Sequence, residues 1–340
     1  MRSDGMKVDA VLTWDLDKAG AEAAELEEMG YDGVKSIETG HDPFLPLLVA
    51  AQSTTKLELA TGIAVAFARS PMTVANTGHD LNAVSKGRLT LGLGSQIRPH
   101  ITKRYSMPWS HPAARMREFI LAMRAIWACW HEGKPLEFIG KFYTHTLMTP
   151  FFTPTNLEYG PPKVYLAAVG PMMAEVAGEV ADGLLVHGFT TQNYLEQTTL
   201  PALERGFAKA GKSRADFEIA YPVFSITGRD EKELAAETTK MRRQIAFYGS
   251  TPAYKAVLDS IDRGELQPEL NAMSKQGRWE AMGELIDDEV LDAISVKGDT
   301  GEVVRQIKSR YGHIADRTAA SYTDMDRAQR IEFIEAMRQD

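Results

Sequence analysis

Groups able to do acid–base chemistry are sparse in this chain. Eight histidines are spread over 340 residues, and no two lie within four positions of each other. The single cysteine is Cys129, so no Cys-x-x-Cys exists, and with no local ligand motif a metal is not expected. Neither a Gly-x-Ser-x-Gly elbow nor a P-loop pattern occurs. What remains are short segments that follow apolar runs: Thr13-Trp14-Asp15, Glu38-Thr39 with His41, Gly62 to Phe67, Gly92 to Arg98, Gly170 to Met172 and His187 to Phe189. Small and apolar residues dominate them. The run Gly92-Leu93-Gly94 leaves backbone uncovered, which either lets a flat ring lie against it or marks a tight corner of the fold. Val169-Gly170-Pro171-Met172 reads as a strand end turning into a helix. That helix start is either an anion site for a phosphate or a plain turn.

The elements that position these segments alternate. Strands are expected at Val8–Leu12, Gly33–Ile37, Leu57–Val65, Arg88–Leu93, Lys163–Val169, Gly183–Val186, Phe217–Thr227 and, weakly, Arg317–Tyr322. Helices fall between them: Ala19–Met29 behind the cap Asp15 and before the C′ glycine Gly30, Phe44–Ser53, and one opened by Pro71. From Pro112 a helix carries Met116, Phe119, Ile120, Met123, Ile126, Trp127 and Trp130 on one stripe, read as core packing. Later helices are Met172–Val180, Gln192–Ala210, Glu231–Tyr248 as the cover of the seventh strand, Gly301–Tyr311 and Asp326–Arg338, with a strandless region at 252–292. Eight strands linked by helices imply an α/β fold, a (β/α)8 TIM barrel whose active site lies at the C-terminal strand ends. The chain exceeds a plain barrel of roughly 250 residues. One domain over 1–340 is therefore expected, with insertions at about 95–111, 133–162 and 249–289, the first two helping to roof the cleft.

Composition narrows the partners. Hydrophobic residues at 44% and charged ones at 25% suit a globular chain with a large core. With 38 basic against 46 acidic side chains and no evident basic stripe, neither nucleic acid nor an anionic membrane surface is an expected partner. No apolar run approaches the ~20 residues of a membrane span, and no secretory signal is evident. A cytoplasmic protein acting on a small molecule is expected.

Several of these segments also form a known pattern. Arg69-Ser70-Pro71, Ser85-Lys86-Gly87-Arg88 and Leu91-Gly92-Leu93-Gly94-Ser95, followed by Gly170-Pro171 and Ala181-Asp182-Gly183, resemble the bacterial luciferase-like superfamily. The segments from Ser106 to Arg117, from Phe142 to Leu147 and from Gln244 to Tyr248 are similar to an actinobacterial branch assigned to the deazaflavin coenzyme F420. The resemblance implies a barrel with insertions, a homodimer, and F420 or alternatively FMN at the C-terminal mouth. An F420-dependent oxidoreductase moving a hydride is the leading expectation, with an FMN-dependent luciferase-like monooxygenase as the alternative.

Carried over by position, the resemblance puts Gly62, Ile63 and Ala64 on one face of the ring, at a place where the family often has a bulge or non-proline cis peptide. Gly92, Gly94, Ser95 and Gln96 would border ring and tail, and Val169, Gly170, Pro171 and Met172 the phosphate, while His187 is a candidate for lining the dry pocket around the ring. Arg98, Arg115 or Arg117 would add charge near the tail. The family's adjacent Asp-His after the second strand is replaced here by Glu38 and Thr39, with His41 two places on. Glu38 and His41 are therefore the implied catalytic pair. His41 is the implied proton donor or acceptor, because histidine titrates nearest neutrality. Trp14, Phe67, Trp109 and Phe189 are candidates for lining a dry substrate pocket.

Overall fold

A computed structural model describes residues 5–319 and 325–339. Eight strands form one closed parallel barrel: β1 (Lys7–Val11), β2 (Gly33–Ser36), β3 (Glu58–Thr61), β4 (Leu89–Gly94), β5 (Lys163–Ala168), β6 (Gly183–Val186), β7 (Glu218–Tyr221) and β8 (Arg317–Thr318). Their order is 3-2-1-8-7-6-5-4, and pairing of β3 with β4 closes the ring. The expected eighth strand reached Tyr322, and its part from residue 320 on lies outside the described residues.

Helices α1 (Leu16–Met29), α2 (Phe44–Ser53), α3 (Pro71–Val84), α4 (Pro112–Glu132), α5 (Pro171–Val180) and α6 (Leu200–Ala210) cover the outside. Their ends follow local chemistry. The Asp15 carboxylate accepts from Asp17 N, Gly30 takes φ +94° to end α1, and Ser70 caps α3 one residue before Pro71. The stripe on α4 is core, with Met116, Phe119, Ile120, Met123 and Ile126 fully buried.

Strand alternation sorts side chains between this outer core and the barrel interior. On β4, Leu89, Leu91 and Leu93 face the helices and are buried, while Thr90, Gly92 and Gly94 face inward. On β1, Val8 packs outward and Lys7, Asp9 and Val11 point in. Asp9 is 3.0 Å from Lys35 and is held bidentate by Arg317, which also pairs with Glu58. Burial opposes the Asp9 charge, yet Arg317 and Lys35 hold its carboxyl well below the usual range. Lys7 reaches Glu58 as well, so charged layers fill the lower barrel.

Three elements depart from expectation. The third strand does not run through to Val65: it stops at Thr61, passes a cis Gly62–Ile63 peptide, and resumes as Ala64–Val65 beside the end of β4. The seventh strand breaks at Pro222, and Phe224–Ile226 pairs with Ser295–Lys297, a strand absent from the sequence reading. Third, α7 (Glu231–Gly249) does not cover the barrel. Its buried residues Met241, Ile245 and Ala246 belong to a second apolar cluster with Leu270, Met282 and Ile294. The covering helix is α8 (Thr300–Tyr311), whose Val303, Val304 and Ile307 join the main core, and α9 (Arg327–Arg338) follows. The long excursion therefore runs from 222 to 299 rather than from 249 to 289.

The other insertions separate in role. Residues 95–111 leave the C-terminal end of β4 and carry a π-helical turn at His100–Arg104. Residues 133–162 leave the far end of α4 and return to the start of β5, with a hairpin, Phe138–Ile139 with Thr144–His145, that climbs back along α4. The Glu118 carboxylate on α4 accepts from Lys141, Phe142 and Tyr143 N–H. This insertion buttresses α4 from outside, and its Phe142 and Tyr143 reach His111 and Arg115 at the start of that helix.

Candidate active site

The C-terminal mouth is the end toward which Val11, Ile37, Ile63, Gly94, Ala167 and His187 alternate inward. Beneath it, Tyr165, Leu185 and Ala220 pack together with Ile63 and Ala167 against them, so the barrel interior is closed by apolar side chains. The cis peptide swings Ile63 over this cluster. A Cβ on Gly94 would come within 2.8 Å of Ile63 Cδ1, so Gly94 makes room for Ile63. Gly92 sits deeper, where a Cβ would lie 1.8 Å from Thr61 O, and Thr61 Oγ1 donates to Gly92 O at 2.7 Å. Its missing side chain serves closure between β3 and β4. Of the two readings of Gly92-Leu93-Gly94, the tight corner describes Gly92.

Beyond Gly94, Gln96 adopts φ +60° and Ser95 Oγ bonds to Gln96 O, which turns the chain into the 95–111 insertion. The Gly170 turn is open. Nothing lies within 4 Å of a Cβ built on it, no side chain caps α5, and Met172 is 76% exposed. An uncapped helix start with free space before it suits an anionic group. Val169 is tied down by Tyr194 Oη, which donates to its carbonyl.

Glu38 and His41 lie in different environments. Both Glu38 oxygens are used: Oε2 accepts from Val65 N and Arg69 Nη1, each at 2.7 Å, and Oε1 accepts from Tyr105 Oη at 2.8 Å. Its side chain is 5% exposed. Arg69 also reaches Asp42 and stacks over Phe44. Burial works against the Arg69 charge, but Glu38 and Asp42 raise its pKa above the ordinary value. Glu38 thus ties the end of β2 to the Ala64–Val65 segment, α3 and the 95–111 insertion. His41 is exposed and lies flat on the Trp14 indole, with centroids 4.2 Å apart and planes 6° from parallel.

His187 follows β6 and sits in an aromatic corner of Tyr248 and Tyr254. Its Nδ1 accepts from Phe189 N at 3.0 Å, which leaves the proton on Nε2. Burial pushes its pKa down to about 4, so it is a neutral hydrogen-bond donor near pH 7. Phe189 is fully buried in the second apolar cluster and does not reach open space. Phe67 is buried too, edge-on to the half-buried Trp109 and beneath the Arg115 guanidinium. Arg115 is occupied by Tyr143 Oη and Pro108 O, and Arg117 by Glu179. Glu179 is about 12 Å along α5 from the Gly170 turn, at 1.5 Å per residue, so Arg117 is not at that turn. Arg98 is exposed and has no side-chain partner among the described residues.

The sequence also carries a signal that a whole-chain charge reading passes over. From Leu81 to Arg117 there is no Asp or Glu, but seven Lys and Arg. Arg88 is internal, bonding carbonyls of Ala51, Thr54 and Leu57. Arg98 and Lys103 are left exposed on the mouth-side insertion, with Arg104 bonding Thr39 O. An otherwise acidic chain therefore has a basic rim beside β4.

A closed parallel barrel with helices outside, an apolar mouth and an open helix start at the C-terminal strand ends give an α/β barrel of the TIM type. Residues 2–317 match the family described as luciferase-like monooxygenase, and the chain belongs to that family. It is accordingly an oxidoreductase of the luciferase-like, flavin- or deazaflavin-dependent type. It is 54% identical over 312 residues to the uncharacterized protein Rv1360 of Mycobacterium tuberculosis, covering 92% of each chain. It is 27% identical to the 5,10-methylenetetrahydromethanopterin reductase of Archaeoglobus fulgidus, over 91% of this chain and 90% of that one. The solved coenzyme F420 dependent tetrahydromethanopterin reductase of Methanopyrus kandleri superposes with a TM-score of 0.78 at 21% identity, covering 99% and 98% of the two chains. No helix among the described residues is long and apolar enough to cross a membrane.

Proposed function

We propose that this protein is an F420-dependent oxidoreductase that transfers a hydride between the deazaflavin and an organic substrate. The observation that carries the reading is the basic rim: an acid-free stretch with Arg98 and Lys103 exposed on the insertion that leaves β4, which pairs with the strand leading to an uncapped helix start. FMN ends in one phosphate, whereas F420 extends past its phosphate into an acidic tail, which cations beyond the phosphate site would favour. Reductases such as that of Methanopyrus kandleri, named for this coenzyme, share the fold over nearly the whole chain.

Bound F420 supplies the hydride chemistry. The chain's own residues do the rest. Ile63 and Gly94 offer a shallow apolar face for the ring. Gly170, Pro171 and Met172 present backbone to the phosphate, and Arg98 and Lys103 meet the tail. His187 holds an Nε2 proton as a neutral donor, and His41, held flat by Trp14, exchanges the proton that accompanies hydride transfer.

Titration of the purified protein with F420 and with FMN tests the reading. F420 is expected to bind at micromolar concentration and more weakly as salt rises. Arg98→Glu with Lys103→Glu should weaken F420 by about tenfold or more and FMN much less. No F420 binding at tens of micromolar would remove the proposal. The family description favours one second reading, an FMN-dependent monooxygenase. Tight FMN retention with oxygen consumption would establish that reading instead.

A further inference from the structure

The turn that opens α5 has few free donors. Pro171 carries no N–H, and Met173 N bonds to Gly170 O at 3.1 Å. Gly170 N–H and Met172 N–H are left, and neither has a protein partner among the described residues. Gly170 N–H belongs to the same peptide unit as Val169 O. That unit is trans, so the two groups point in opposite directions, and whatever holds the carbonyl also aims the N–H. Val169 lies one residue past the end of β5, where strand pairing no longer fixes it.

Tyr194 holds that carbonyl. Its Oη donates to Val169 O at 3.0 Å, and its ring is buried in the second apolar cluster. Burial raises the phenol pKa above the ordinary value, so Oη keeps the proton it donates. Tyr194 is itself anchored. Its backbone N donates to Thr191 Oγ1 at 3.0 Å, and Thr191 Oγ1 bonds Ser260 Oγ at 2.8 Å. Asn193 Nδ2 donates to Ser260 O, while Ser260 Oγ donates to Val257 O at 2.7 Å. A continuous path of hydrogen bonds therefore leads from the excursion at 222–299 to the peptide that opens α5.

We infer that Tyr194 is a positioning residue for the cofactor phosphate: it fixes the peptide whose N–H meets the anion, and Ser260 of the excursion fixes Tyr194. A donor swung off line loses much of a charge-assisted bond, because hydrogen bonds weaken steeply away from linearity. With Pro171 unable to donate, Met172 N–H is the sole free donor beside Gly170 in this turn, so the aim of Gly170 matters more. The inference rests on the proposed function only in seating a phosphate-bearing flavin or deazaflavin at this turn. FMN and F420 both meet that condition.

Tyr194→Phe tests this, since it removes Oη and keeps the ring in its cluster. F420, FMN and phosphate-free riboflavin are titrated into the full chain and the variant, and phosphorus NMR follows the bound phosphate. The variant should hold F420 or FMN about five- to tenfold more weakly, as for one impaired hydrogen bond. Riboflavin should bind both proteins alike, and the bound phosphate resonance should move toward its free position. Thr191→Val, which cuts Tyr194 from Ser260, should act in the same direction and serves if Tyr194→Phe folds poorly. Equal losses for FMN and riboflavin, or phosphate ligands bound as before with an unmoved resonance, would reduce Tyr194 to packing and overturn the inference. If FMN shows this dependence while F420 does not bind, the positioning role stands and the F420 reading falls. If F420 binds and Tyr194→Phe leaves it unchanged, the reverse holds. An unmodified chain that binds neither removes both.

Discussion

Glu38 and His41 are three positions apart in sequence, yet their surroundings give them different work. The Glu38 carboxylate accepts three hydrogen bonds and offsets a buried guanidinium, so it is a positioning group for the β2 end. His41 keeps an accessible ring on Trp14. Glu38→Gln retains an acceptor for Val65 N but strips Arg69 of half its counter-charge. Breaking a buried pair costs ~3–5 kcal/mol, and Asp42 should hold the loss here to roughly 2–3 kcal/mol in urea unfolding. His41→Ala should leave unfolding nearly unchanged and lower kcat by about 10²–10⁴-fold, the usual range for a lost general acid or base. Turnover that survives in His41→Ala would end its proposed role, and Glu38→Gln with unaltered stability would end the positioning account.

At the scale of elements, Gly92 shows how a strand can look like a binding motif for structural reasons. Its Cβ would overlap the Thr61 carbonyl, so Gly92→Ala must push β3 from β4 at the barrel seam. Overpacking costs ~1–3 kcal/mol or more. The expected result is a lower unfolding midpoint in the cofactor-free protein; a loss of cofactor affinity with unchanged stability would contradict it. The barrel strands and most helix ends were legible because period-two runs, capping residues and prolines are local signals. The cap at Asp15, the glycine end at Gly30 and Pro71 at a helix start all appear as read. What escaped depends on distant partners. Nothing local distinguishes α7 from a barrel-covering helix. Its apolar residues have the same spacing, and only tertiary packing sends them to Leu270 and Ile294 instead of the barrel. Likewise Asp9, Lys35 and Arg317 are ordinary charges in sequence until closure sets them face to face. At the mouth, the strand-end rule located Glu38, His41 and His187 in advance, but burial separated Phe67 and Phe189 from open space.

For the whole molecule, two buried groups impose separate acid limits on stability. His187 is neutral in the folded protein, with a pKa near 4, whereas an unfolded histidine takes up a proton near pH 6.5. Because only the unfolded chain gains that proton, stability falls as pH drops from about 6.5 to about 4 and then no further from this source. At 1.36 kcal/mol per pH unit the loss is roughly 3 kcal/mol. Asp9 acts lower down. Despite burial, Arg317 and Lys35 keep its carboxyl depressed, so its contribution is intact above the ordinary carboxylate range near pH 4 and is lost as pH falls below it. His187→Phe keeps an aromatic ring against Tyr248 and Tyr254 but removes the upper window. Urea unfolding midpoints at pH 7, 5.5 and 4.5 should decline in the unmodified protein and decline less steeply in the variant, where burial still holds His131 and His145 below the ordinary value, while both fail together below pH 4. Parallel declines in the two proteins would show that His187 is not the group held neutral. The excursion that carries Tyr248 and Tyr254 would then lose its link to the acid response, since its aromatic rings meet the mouth through that imidazole.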